Sequence, residues 1–374
     1  VKIIGAEIES PVRHKGSHGD LWTTTWADDG ELYTASDDTQ GFDQACSSNL
    51  AISRLSGSDP WSLQGSTVNP MSAFGYWGEV AEDLAFWKAN GLASVDGALY
   101  LTVSRHSGYI DSGVPYQEAF DSSIVRSTDH GATWTDAPKL GSAMFPGPSF
   151  ATPFLLDFGR DSLESVDEYI YAISSDGAWN NGNSMRLGRV RREHIARLDP
   201  GDWEFIQGVD SEGNFEPIWG RRHDTARSIF RAPGRASMTG IHYISPLRVY
   251  VMPQWHYTRL GEPGRSWSST RWELYQAPAP WGPWSLFHVE DWSPGGFYNP
   301  CIISKFTSED GTKLMIFAAG DFSDCMKLDG YYGLYLFPVE LTIDSVESLD
   351  SGTSDALRHE RELMAQFKTH AENA

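Results

Sequence analysis

Cysteine is scarce in this chain of 374 residues: Cys46, Cys301 and Cys325 are the full set. Their spacings are too long for a cysteine zinc site, which argues against metal held through sulfur. Basic residues are also few, 29 Lys and Arg against 50 Asp and Glu, for a net charge of −21. A field of that sign repels phosphate backbones and anionic bilayers, so neither nucleic acid nor a membrane is an expected partner. No apolar run reaches the roughly 18 residues that a spanning helix needs. No basic-then-apolar leader opens the chain, and its first residue is Val1 rather than Met, as expected of a processed or trimmed terminus. No Asn-x-Ser/Thr acceptor sequence is present. One disulfide with one buried thiol would suit an oxidising compartment, and three buried thiols would also fit; of the two, secretion is the expected location.

Aromatic and turn-forming residues are abundant: 15 Trp, 15 Tyr, 18 Phe, 36 Gly and 20 Pro. That balance predicts many short strands and an all-β protein. The stretch WADDGELYTASDD, Trp26 to Asp38, shows the pattern: an Asp-Asp-Gly turn, a strand-like core and a second Asp pair. It recurs in weaker form. LWTTTWADDGELYTAS is followed by LASVDGALYLTVS, FLLDFGRDSLESVDEYIYAIS, IHYISPLRVYVMP and CIISKFTSEDGTKLMIFAA. Tyr33, Tyr100, Tyr171, Tyr250 and Phe317 hold the equivalent place, about 70 residues apart. A third strand and a fourth associated with Trp follow in four copies, whereas the fifth has YGLYLFPVEL and no Trp. Four antiparallel strands per unit, repeated radially, predict a five-bladed β-propeller. A pair of β-sandwiches is the alternative. The propeller is expected to form one catalytic domain over residues 1–345. Residues 346–374 then form a helical tail, with Leu357, Leu363, Met364 and Phe367 loosely on one side.

In a propeller, residues just before each innermost strand and just after each second strand converge on one central mouth. Before the first strands stand His18 and Asp20, Asn90, Ser149, Arg235 and Asn299. After the second strands come Asp37 and Asp38, Arg105 and His106, Asp176 and Trp179, Trp255 and His256, and Asp321 and Asp324. Asp28 and Asp29 are expected to turn the chain at the far face. Trp faces stack on sugar rings, and paired carboxylates share the acid and the base or nucleophile work of glycosidic cleavage. Carboxylates that crowd together raise one another's pKa, which keeps one protonated near neutrality. An Asp in a propeller loop serves equally to cap a turn or to hold a structural cation. A calcium ion at Asp37, Asp38, Asp321 and Asp324 is one such reading, and no cofactor is otherwise expected. Cys46 and Cys325 fall on the same two loops and are the expected disulfide pair, reinforcing closure of the first blade on the last.

STDHGATW, Ser127 to Trp134, resembles the Asp box of sialidases and related propellers, a turn on the face away from the site. The resemblance makes Asp129 and Trp134 structural. A sialidase would also carry an N-terminal F-R-I-P and three ordered arginines; FRAP at Phe230 to Pro233 comes late and departs from that pattern. Three longer stretches carry a broader likeness: GDLWTTTWADDGELYTASDDTQGF, MRLGRVRREHIARLDPGDWEF, and APAPWGPWSLFH running into FYNPCIISKFTSEDGTKLMIFAAGDF. Together they resemble the domain-of-unknown-function family 4185, from Gly19 to about Phe322. The resemblance implies a five-bladed propeller, endo-D-arabinanase-like glycosidase activity, and a carboxylate at the head of the first inner strand, here Asp20. Asp37-Asp38-Thr39 stands where that family has G-D-T, so Asp38 takes its Asp. A weaker similarity is to β-propeller polysaccharide lyases, which use His and Tyr for proton transfer and Arg against a uronate carboxylate. Arg105, His106 and Tyr109 would fill those roles, although Phe86 and Trp87 stand where such lyases have a second His.

The expected activity is therefore that of a glycoside hydrolase. Asp20, Asp38, His106 and Asp321 are its candidate catalytic residues. Arg105, Tyr109, Asp176, Trp179, Arg235, Trp255, His256 and Asn299 are candidates for holding the sugar. Elimination at a uronic acid by a lyase, and sugar binding without catalysis, are the other readings. The expected partner is a poly- or oligosaccharide, and the expected state a monomer.

Overall fold

The computed structural model describes residues 1–79, 85–107, 117–209, 216–262, 264–327 and 329–344. Five antiparallel sheets follow one another along the chain as the blades of a propeller. Blade 1 is built from His18–Trp26, Leu32–Gly41, Ser48–Ser56 and Gln64–Asn69. Blade 2 comprises Ala85–Val95, Ala98–Ser107, Ala119–Ser127 and the short Phe145–Pro146. Blade 3 runs from Phe154–Leu155 through Tyr169–Ser175 and Gly182–Arg191 to Trp203–Val209. It departs from the four-stranded plan, because Pro217–Gly220 extends its outer edge and Ser228–Ala236 also pairs with Gly182–Arg191. Blade 4 has His242–Ile244, Val249–Tyr257, Thr270–Ala277 and Ser285–Trp292. In blade 5 the strands Tyr298–Ile302, Lys313–Ala319 and Leu334–Asp344 come first, and the inner two pack against His18–Trp26 of blade 1. That contact closes the ring and removes the sandwich alternative.

The repeat's physical basis is one aromatic ring per blade. Tyr33, Tyr100, Tyr171, Tyr250 and Phe317 all lie on the second strand of their blade and all are buried. A small sheet cannot cover both of its own faces, so a large ring there buries area only when neighbouring blades stack against it.

Sequence reasoning left residues 1–17 without a place. Lys2–Ile8 is the outermost strand of blade 5, antiparallel to Leu334–Asp344, with Lys2 opposite Asp344 and Ile8 opposite Val339. This supplies the strand missing from the fifth copy. The backbone N–H of Ile3, which is buried, donates to Gln276 Oε1 at 2.8 Å, and Gln276 Nε2 donates back to the Ile3 carbonyl. Gln276 belongs to blade 4, so one side chain ties the closing strand to the next blade. Gln276→Ala orphans both backbone groups at about 1–3 kcal/mol each. The expected loss is about 2–6 kcal/mol of stability, read from the denaturant midpoint.

The expected bridge between Cys46 and Cys325 is not formed, and all three cysteines are free thiols. Cys46 Sγ instead lies 3.6 Å from Ser48 Oγ, two residues along the chain, while Cys325 ends a single-turn helix over Phe322–Asp324. The tail at 346–374 lies outside the described residues.

Candidate active site

Blade 1 contributes the acids. Asp20 stands opposite Asp37 on the paired strands, and the register slips between Asp20 and Thr23. The cause is local: Leu21 and Trp22 both take left-handed backbone, with φ of 66° and 59°. A bulge of this kind re-aims the side chains beside it. Trp22 holds it in place by donating Nε1–H to the Gly19 carbonyl at 2.9 Å. Asp38 is left-handed too, with φ of 42°, and its carbonyl accepts from Tyr332 Oη at 2.7 Å. Such conformations cost on the order of 1–3 kcal/mol in non-glycine residues and gather where the surroundings over-determine them.

Two other blades supply the partners. From blade 2, the Lys88 ammonium forms an ion pair with Asp38 Oδ2. The next residue's backbone N–H, that of Ala89, donates to both oxygens of Asp37 at 2.9 and 3.2 Å. From blade 5, Tyr298 Oη donates to Asp20 Oδ2 at 2.8 Å.

These groups line a cavity of about 250 Å³. Half-buried Trp77, Phe86, Trp267 and Phe322 form its walls, and the buried Trp179, Tyr257 and Tyr298 lie deeper. His106 and Gln117 complete the polar part of the lining. Burial, reinforced by Asp38 and opposed by Lys88 and Tyr298, pushes Asp20 up to about 7. Asp37 is held well above the usual carboxylate range, by burial first, with Asp20 and Asp38 adding to it against Lys88. For Lys88 burial acts downward, but the three carboxylates outweigh it and hold the amine above its ordinary value. Burial and the neighbouring Lys88 bring His106 down to about 3, so its imidazole is neutral. Among the described residues, two buried polar atoms of this lining meet no hydrogen-bond partner, Asp20 Oδ1 and Trp179 Nε1, while the Gln117 side chain lies beside the His106 ring. Buried polar atoms are rarely left so, and in a cavity wall they mark where a ligand's hydroxyls would bind.

No family model matches the chain, and no curated protein does. The resemblance to the family 4185 therefore stays with the stretches quoted above. Several solved structures are similar. They include GH43B of the Bacteroides ovatus xyloglucan PUL, at 15% identity and a TM-score of 0.46, over 90% of this chain and 55% of that one. The GH43_1 enzyme from Xanthomonas citri is 12% identical with a TM-score of 0.47, over 90% of this chain and 91% of that one. The catalytic domain of the Coprinopsis cinerea GH62 alpha-L-arabinofuranosidase is 10% identical with a TM-score of 0.46, over 91% of this chain and 98% of that one. This chain thus spans about half the length of the Bacteroides protein.

Of the residues predicted from sequence, Asp20, Asp37, Asp38, His106 and Trp179 meet in this cavity. The other described candidates do not line it. Arg105 turns into its own blade, its Nε donating to Asp121 Oδ1 at 3.0 Å. Asp176 accepts from the Asn183 N–H and Ser184 Oγ, both at 3.3 Å. Arg235 pairs with Glu273 at 2.6 Å. Trp255 is fully buried behind the wall, its ring 5.3 Å from that of Trp179, and donates to the Met238 carbonyl. His256 is buried, with Glu273, Arg235, Arg271 and Asp291 as its charged surroundings. Asn299 Nδ2 donates to the Leu21 carbonyl at 3.2 Å. Asp321 caps the turn that delivers Phe322 to the cavity, accepting from the Ser323 N–H at 2.9 Å. Tyr109 lies outside the described residues.

The four carboxylates of the calcium reading have other partners here. Among the described residues, Asp37, Asp38, Asp321 and Asp324 do not bring three ligand atoms together. Their carboxylates are engaged separately, by Ala89, Lys88, Ser323 and Lys327. Asp28, Asp29 and His130 do gather their ligand atoms within 4.8 Å, but at the exposed turns of the far end. Sequence reasoning missed Lys88, Tyr257 and Tyr298. The signal for Lys88 was a lone cation in AFWKANGLASV, a strand otherwise suited to the core.

Proposed function

We propose that this protein is a glycoside hydrolase acting on a neutral poly- or oligosaccharide, with Asp20 as proton donor and Asp38 as the second carboxylate. One observation carries the reading: inside an aromatic-walled cavity, Asp20 is pushed up to about 7 and keeps Oδ1 free, beside an Asp38 paired with Lys88. A carboxylic acid protonated near neutrality can give its proton to the glycosidic oxygen as the bond to the anomeric carbon breaks. Asp38 then either attacks that carbon or takes a proton from the incoming water. The rings of Trp77 and Trp267 offer faces for the sugar, and the neutral His106 and Trp179 Nε1 offer hydrogen bonds to its hydroxyls.

The charge balance favours this over elimination at a uronic acid. Three carboxylates face the cavity, and Lys88, the one Lys or Arg among the described lining residues, is already paired with Asp38. A uronate would therefore meet no unpaired Lys or Arg among the described lining residues. Arg105, which a lyase would use to neutralise it, is bound to Asp121. A panel of plant, algal and microbial polysaccharides should yield new reducing ends on neutral glycans with no near-ultraviolet absorbance. Unsaturated products would overturn the reading in favour of a lyase, and binding without any product in favour of a sugar-binding propeller.

A further inference from the structure

The two acids at the end of one blade 1 strand are gripped by two consecutive residues of blade 2. Lys88 takes Asp38 through its side chain, and Ala89 takes Asp37 through its backbone. This follows from strand geometry. Ala85–Val95 is the innermost strand of its blade, so one edge pairs with Ala98–Ser107 while the other is free toward blade 1. The register slips just beyond, between Ala89 and Leu92, which ends regular pairing at this point. The ammonium is buried, with Asp20 of the innermost blade 1 strand, Asp37 and Asp38 of the second, and His106 of its own hairpin as the titratable groups facing it. Asp20 in turn also faces Tyr257, Tyr298, Tyr332 and Cys325.

We propose that Lys88 and Ala89 form a positioning clamp: one dipeptide of blade 2 fixes the orientation of both blade 1 acids and supplies the buried countercharge that they share. Without the ammonium, three neighbouring carboxylates share one buried space with no countercharge, and protons must fill it. The backbone donor alone would still orient Asp37 but would leave Asp38 unheld. The catalytic consequence rests on the glycoside hydrolase reading; the electrostatic one does not.

Lys88→Met keeps the length and apolar bulk of the side chain and removes the charge. It should lower kcat by about 100-fold, the effect of a misplaced reacting group, while KM changes far less. Losing the cation raises the carboxylates, so the whole pH–rate profile should move to higher pH. Lys88→Arg should recover the profile and part of the rate. A carboxyl carbon-13 NMR titration, which needs no substrate, should show Asp20 and Asp37 taking up protons at higher pH in Lys88→Met than in wild type. If the wild-type protein cleaves no glycan, the functional reading fails and this titration still decides the clamp. Unmoved titrations in Lys88→Met overturn it. Should that variant not fold, nitrogen-15 NMR of wild-type Lys88 decides: an ammonium that stays charged above the ordinary lysine range supports the clamp, and one that titrates as an ordinary surface lysine refutes it.

Discussion

Asp20→Asn should abolish most glycan cleavage and, at pH 8, make the protein more stable. The two effects have one origin. Removing a general acid typically costs about 10²–10⁴ in rate. The stability gain follows from the folded-state value of about 7 against an ordinary 3.8. Between those values the folded chain keeps a proton that the unfolded chain has released, so wild-type stability falls as pH rises from about 4 to about 7. Above that range the whole penalty is in force. Asparagine has no proton to lose, and its carbonyl can still accept from Tyr298. On the order of 1–4 kcal/mol should therefore be regained at pH 8, at about 1.4 kcal/mol per tenfold change in the proton equilibrium. At pH 4 the variant and wild type should melt together. Melting curves at the two pH values test this, and equal destabilisation at both would refute it. The wild-type rate should fall as pH climbs through about 7, because Asp20 then loses the proton that it donates.

Asp38→Asn should cost as much activity but move stability the other way. Its carboxylate is the ion-pair partner of the buried Lys88. Deleting one member of a buried pair leaves an uncompensated charge, a change that costs about 3–5 kcal/mol. Asp37 and Asp20 still face the amine, so about 3 kcal/mol, the low end of that range, is expected from the shift in denaturant midpoint. Two aspartates of one site would thus respond with opposite signs to the same isosteric change. A merely crowded acidic patch, with no defined protonation pattern, would be stabilised by losing either.

Much of this was legible in the sequence because it depends on recurrence. An aromatic residue every 70 or so positions reports a stacked blade however the loops vary. Knowing where strands begin and end also placed Asp20, Asp38, His106 and Trp179 together at the cavity. What it could not supply was facing. Adjacent residues on a strand point to opposite sides, so choosing Asn299 instead of Tyr298, or His256 instead of Tyr257, selects the wrong face by a single step. Nor could it reveal partners from other strands: Asp121 waits for Arg105, and Glu273 for Arg235. Asp176 and Asp321 show a third gap, since an Asp that caps a turn and an Asp at a site are the same letter. The closing strand Lys2–Ile8 was hidden for a different reason: its partner lies more than 330 residues away, beyond any local pattern.

That latch has a consequence for how the pocket comes into being. Translation releases Lys2–Ile8 long before Leu334–Asp344, so the earlier strand has nothing to dock on until more than 330 further residues have been made. Tyr298, which steadies Asp20, also arrives with the final blade. A nascent chain therefore acquires the Tyr298 hydroxyl that holds Asp20 in the same late event that seals its circumference.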